Sequence, residues 1–459
     1  MYELNEVPWE VVDFYTSRNP DSCLAEITTL SRCYTTYTVD VGELHPWVTW
    51  PTLHRGVDNT VHKIEFLNQD LSEASAYPPI WETAAKAGKK VGVFGSLQSY
   101  PMPQDSSYAF YVPDTFAPKP DAYPRCYIPL QELNLQQTAA DGGIVSDVRM
   151  NSRTMLNTLA LLRTGLSLKT LFRAARQLML ERRNPAYKTR RAVLQAPVGF
   201  DVFKHALRKH KPDLCTFFTN HVAGVMHRYW RHTFPEDFGD GSNPTPDAVR
   251  GSNIEYAMSI ADEQIAYLKK HAEAVGGTLL IVSSMGQEAV HRRGGDQARI
   301  MDVDKFVSAI GFGGPFTSHL AMHPDFNFEF ETEEDALHFA QVLEQYTYPD
   351  GRSLAYKIYV TGRTLNFGLA QPSDRRDENF IVAAESNRTI EFEDAGMIRF
   401  ERDVGTGYHQ PRGIAIWYEP GGVPDHSRTE IDSTEIRPMV LSALGIADRR
   451  ISLEAELAN

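Results

Sequence analysis

The sequence predicts an α/β fold with a mostly parallel sheet between layers of helices. Three observations lead there. Short apolar runs bounded by turns or charges recur at Val91–Gly95, Leu214–Thr219, Thr278–Ser283 and Gly413–Tyr418, as strands buried on both faces require. Helical patterns precede two of them, over Pro79–Gly88 and Ser252–Val275; strand alternating with helix implies parallel pairing. Polar residues stand where strands should end: Asn5-Glu6, Gly95-Ser96, Asn220-His221 and Ser283-Ser284-Met285-Gly286. Ligands of such sheets bind beyond the carboxyl ends of the strands.

Size and composition suit that fold. The chain has 459 residues, 42% hydrophobic and 23% charged, enough for one large domain with insertions or for two domains. No apolar run reaches the roughly 18 residues of a membrane-spanning helix. Met1-Tyr2-Glu3-Leu4 leads into the first strand with no basic-then-apolar leader. The cysteines Cys23, Cys33, Cys126 and Cys215 show no metal spacing and fit reduced thiols, so the expected location is cytoplasmic.

The net charge of -13 conceals an asymmetry, because residues 151–211 hold 14 Lys/Arg against 2 Asp/Glu. A basic segment on an acidic body implies an anionic partner: a phosphate-bearing substrate or a lipid head group. Zinc-finger spacing and stacked RNA-binding aromatics are absent, so nucleic acid is not expected. In this segment Leu156, Leu159, Leu162 and Leu166, then Leu171, Ala175, Leu178 and Met179, keep helical spacing. Beside Arg173, Arg176, Arg182 and Arg183 the stripe suits either a solvated face or contact with a membrane surface. The expected organisation is a core over 1–150, a basic helical insertion over 151–211, core over 212–324, a small α+β insertion over 325–370, and core over 371–459.

Several motifs, in order, resemble the alkaline phosphatase superfamily in its type I phosphodiesterase/nucleotide pyrophosphatase branch. Leu4-Asn5-Glu6-Val7 stands where the first strand of that family ends in a metal-binding Asp. His45 to Gly56, with His62-Lys63-Ile64, resembles the nucleophile helix and its trailing His-Gly-Ile. Asn220 to Trp230 resembles the segment carrying an Asp and a His, both metal ligands. Ser283-Ser284-Met285-Gly286 stands at the family's Asp-His-Gly, and Gly407-Tyr408-His409 resembles its late Gly-x-His. The resemblance implies an alkaline-phosphatase-like sheet and two-metal phosphoryl chemistry. The ligands depart from it: Asn5 (or Glu6, one residue along) replaces the first Asp, Ala223 the second, and Ser284-Met285 the Asp-His pair. His227 and His409 remain. Two neutral imidazoles cannot balance two divalent cations, so the usual dinuclear zinc site is expected to be absent.

The resemblance therefore implies a divergent enzyme, hydrolase or transferase, acting on a phosphorylated or sulfated metabolite. The Leu-Asn-Glu start and the Pro-Trp motif resemble proteins of surface-polysaccharide biosynthesis. Glu6, His227 and His409 are the candidate catalytic residues, acting as acid and base or holding one divalent metal. A carboxylate at a buried strand end must otherwise be paired. The nucleophile position falls on Pro46, or on Thr49 if Thr49-Trp50-Pro51 is the Thr-aromatic-Pro motif; the latter implies a true phosphodiesterase. Asn5, Trp47, Trp50, His54, Ser284 and Arg228 are candidate substrate contacts. Each has a structural alternative: core packing for the tryptophans, a helix face for His54, backbone hydrogen bonds for Ser284. A non-catalytic protein binding an anionic ligand or a partner is the competing class.

Overall fold

The computed structural model describes every residue except 104–106, 141–151, 240–246, 292–295, 374, 385, 402–404 and 449–459. The boundary at 150/151 lies outside the described residues.

A six-stranded sheet runs in the order Asp425–Asp432, Arg32–Tyr37, Arg412–Tyr418, Leu279–Val282, Tyr2–Leu4, Phe217–Thr219. The run Leu214–Thr219 is split at Thr216. Its first half, Leu214–Cys215, pairs with Val91–Phe94, which pairs with Tyr108–Val112. Its second half pairs with Tyr2–Leu4. One short segment thus joins two sheets into one surface. All these pairings are parallel except those of Arg412–Tyr418, antiparallel to both neighbours.

Side chains alternate across the sheet. Tyr2, Leu4, Leu279 and Ile281 face a core shared with Trp230, Ile254, Phe200 and Phe203. Leu280, Val282 and Ala415 face the other side, with Trp50, Leu53, Trp81 and Leu441. Helices Trp9–Arg18, His221–Thr233 and Asn253–Val275 cover the first face; Pro46–Arg55, Ile80–Lys86 and Ile436–Ala443 cover the second.

The basic segment forms helices Ser152–Arg163, Leu168–Arg183 and Gln195–His210, with Pro185–Leu194 in 3₁₀ turns. Its last helix is part of the core: Phe203 packs on Phe94 and Phe217. The α+β unit has a four-stranded antiparallel sheet, Phe316–His319, Asp325–Phe330, Thr364–Leu369 and Ala355–Thr361 in spatial order. Helix Glu333–Glu344 lies on it. Its apolar core draws on residues from Ala298 to Met397, beyond the span 325–370.

Candidate functional site

A strand end, the middle of a helix and a short strand converge beyond the carboxyl edge of the sheet. Tyr2–Leu4 ends, Asn5 adds one more ladder bond to Thr219 O, and Glu6 comes next at φ 59°. A non-glycine residue there costs about 1–2 kcal/mol, so the turn must be held from outside. Ser283 does this: its Oγ donates to Leu4 O and accepts from Val7 N at 3.1 Å. The turn swings the carboxylate of Glu6 into the site, 2% exposed.

His227 lies on helix His221–Thr233 and His409 on strand Gly407–Gln410. The strand passes so close to the helix that a Cβ on Gly407 would stand 2.7 Å from Met226 O. That approach lets His227 Nδ1 donate to Gly407 O at 2.8 Å. His409 Nδ1 donates to Leu44 O at 2.6 Å. A carbonyl can only accept, so each ring carries a proton on Nδ1 and turns Nε2 toward the site. Both Nε2 atoms face one oxygen: Glu6 Oε2 is 2.9 Å from His227 Nε2 and 3.5 Å from His409 Nε2. Such an approach needs positive charge, either a second ring proton that makes an imidazolium donating to Glu6 or a cation in its place.

Burial pushes the Glu6 carboxyl up, but the charges of His409 and His227 and their hydrogen bonds outweigh it and hold it well below the usual carboxylate range. Amides complete the shell. Asn5 Nδ2 donates to Glu6 Oε1 and to Asn220 Oδ1, both at 2.7 Å, while Trp50 Nε1 donates to Asn5 Oδ1 at 2.7 Å. Gln287 Nε2 donates to Glu6 Oε2 and to Ala223 O.

Among the described residues, Glu6, His227 and His409 are the group of three or more His, Cys, Asp or Glu side chains whose ligand atoms gather within 4.8 Å. A carboxylate and two imidazoles, each imidazole oriented by a carbonyl through its second nitrogen, suit one divalent cation.

The remaining sequence candidates are placed differently. Asn5 touches the cluster directly. Trp50 is fully buried and reaches it only through Asn5. Pro46 is the first residue of its helix and Thr49 lies one turn in, fully buried, its hydroxyl 2.8 Å from Ser284 Oγ. Thr49 and Ser284 thus pair with each other, with no exposed oxygen to offer a substrate. His54 is bonded to Glu3 at 2.9 Å in the core. Trp47 is 6% exposed and donates to Glu65 O. Arg228 is exposed on the same helix as His227, turned about 100° from it.

Beside the cluster is a part that sequence reasoning missed. His45 stacks on Trp47 at 4.3 Å and meets His409 edge-on at 5.8 Å. Glu43 accepts from Tyr408 Oη and lies 3.5 Å from His45 Nε2. The neighbouring His45 ring first, then the Tyr408 hydroxyl and the Lys357 charge, hold Glu43 down at about 2 against burial. Lys357 comes from the α+β unit, paired to Asp325 at 2.8 Å. Gln287 was missed as well, since an uncharged amide between motifs carries no sequence signal; Asn220, singled out at a strand end, accepts from Asn5 at 2.7 Å.

The chain matches no protein-family model and no curated protein. It is similar to solved structures of murine ectonucleotide pyrophosphatase/phosphodiesterase 5 (12% identity, 97% of this chain and 94% of that one, TM-score 0.39). It is also similar to phosphonoacetate hydrolase from Sinorhizobium meliloti (12%, 96% and 94%, 0.41) and to the alkaline phosphatase PafA (11%, 97% and 95%, 0.45). At such identities the chemistry of the cluster has to be read from its own residues.

Proposed function

We propose that the chain is an enzyme centred on Glu6, His227 and His409, which hold one divalent cation and act on a phosphorylated or sulfated substrate. The single observation that carries this is the pair of Nε2 atoms held toward one carboxylate oxygen, with each ring's Nδ1 proton on a carbonyl. When bound, the cation would act as a Lewis acid on a phosphoryl or sulfuryl oxygen. One carboxylate leaves a site holding a divalent ion net positive, which favours an anionic ligand. Asn5 and Gln287 orient the carboxylate. Lys357, paired with Asp325, lies close enough for its charge to bear on Glu43 and His45. The enzyme is a hydrolase or a transferase; the resemblance of its first motif favours a substrate of surface-glycan assembly. Thr49, buried against Ser284, does not favour the phosphodiesterase reading.

The test is elemental analysis of the purified protein with a thermal-shift screen. One equivalent of divalent metal is expected, lost in Glu6→Gln and His227→Ala, with stabilisation by phosphate esters or nucleotide sugars that His409→Ala abolishes. Two equivalents, or none, would overturn the single-cation site. No response to any anionic ligand would overturn the enzyme and leave a partner-binding protein.

A further inference from the structure

Helix Leu168–Arg183 is built inside out. The face it packs inward is polar: Thr170, Gln177 and Glu181 are each no more than 7% exposed. They are satisfied there, Thr170 N by Ser167 Oγ, Gln177 by Tyr187 O at 2.6 Å, Glu181 by Gln177 and Arg191. Its outer face carries Leu168 (81% exposed), Phe172 (69%) and Met179 (52%), at helical positions i, i+4 and i+11. The preceding helix Ser152–Arg163 buries Leu161 in the core and Asn157 against Glu132, but leaves Leu156, Leu159 and Leu162 exposed. Single exposed leucines need no explanation, but these two consecutive helices hold seven of the nineteen exposed large hydrophobics among the described residues. Such a concentration of exposed apolar side chains on two consecutive helices marks a contact face.

The charge around it identifies the contact. Arg176, Arg182 and Arg183 are exposed one turn from Phe172 and Met179. The segment's two acids are already paired, Glu181 with Arg191 and Asp201 with Lys204. A second copy of the chain would bring one basic rim against another. An anionic bilayer satisfies both features: the apolar side chains enter the boundary of head groups and acyl chains, and the arginines stay at the phosphates.

We propose that helices Ser152–Arg163 and Leu168–Arg183 dock the protein on an anionic membrane surface. The 3₁₀ segment Pro185–Leu194 continues from them and packs near the helix that carries His227, so a single element links the docked face to the candidate site. The inference is independent of the cation site.

The experiment is co-sedimentation of the full chain with phosphatidylcholine vesicles, with and without phosphatidylserine. Binding is expected only with phosphatidylserine and is expected to weaken with salt. Phe172→Asp with Met179→Asp should lower it about tenfold or more, and Arg176→Glu with Arg183→Glu likewise. Both pairs are exposed, and circular dichroism should show unchanged folding. Wild-type protein that ignores anionic vesicles, or variants that bind as well as wild type, would overturn the proposal. So would a concentration-dependent dimer that Phe172→Asp dissolves while no vesicle binding occurs.

Discussion

Asp114 shows how one buried side chain couples this fold to pH. It lies just past strand Tyr108–Val112 and accepts from Phe116 N at 2.9 Å and Ser99 N at 3.3 Å. Burial raises its pKa to about 6, against those N–H groups. The unfolded chain has it near 3.9. A raised carboxyl means the folded state binds the proton more tightly. Its stabilising contribution is therefore full below about pH 4 and lost as pH rises through about 6. The loss is up to about 3 kcal/mol. Asp114→Asn should remove that slope: urea melts of wild type minus variant should fall between pH 4 and 6.5 by an amount of that order. A difference independent of pH would refute the assignment. Residues of this kind explain what was legible. Glu6, His227 and His409 could be found because a charged or titratable side chain at a strand end or in a motif is costly and conspicuous. Gln287 and the Glu43–His45–Tyr408 group could not, because their roles come from strand pairing between Gly286–Ala289 and Gly407–Gln410 and from a loop whose path no local pattern encodes.

At the scale of elements, periodicity located the strands well but not their directions. Gly413–Tyr418 reads as any buried strand, and only its partners make it antiparallel. The basic helices were legible as helices, yet which face turned inward was not. The usual rule buries the leucines; here Glu181, Gln177 and Thr170 are buried instead. The docking of Leu168–Arg183 then rests on hydrogen bonds more than on apolar area. Glu181→Ala removes the acceptor that Gln177 Nε2 and Arg191 share, while Gln177 keeps Tyr187 O; losing that buried acceptor costs about 1–3 kcal/mol. Hydrogen exchange should speed up across 168–194 by roughly 10-fold or more, while Tyr2–Leu4 and Leu279–Val282, buried in the sheet, keep their protection. Uniform acceleration across both regions would mean the helix belongs to the same cooperative unit as the sheet.

At the scale of the molecule, the chain holds two kinds of core. One lines the two faces of the large sheet; the other, from Ala298 to Met397, closes around Phe328, Phe339 and Phe367. What joins them is largely polar: Asn68 Nδ2 to Leu320 O at 3.1 Å, Asn327 Nδ2 to Leu67 O at 2.7 Å, and Asp70 N to Thr364 Oγ1 at 3.1 Å. A small apolar contact of Trp47, Val48 and Leu67 with Met322 adds to them. Such a junction resembles an interface between domains more than a continuous core, so the α+β unit should melt on its own. Calorimetry should resolve two transitions. Asn327→Leu with Asn68→Ala removes two of the bridges and should lower the first transition by about 5 °C while leaving the second in place. One transition with equal calorimetric and van't Hoff enthalpies in both proteins would show that the two cores unfold together. Lys357, which sits on the α+β unit and whose charge bears on Glu43 and His45, would then be fixed over the site by the whole fold rather than by this junction.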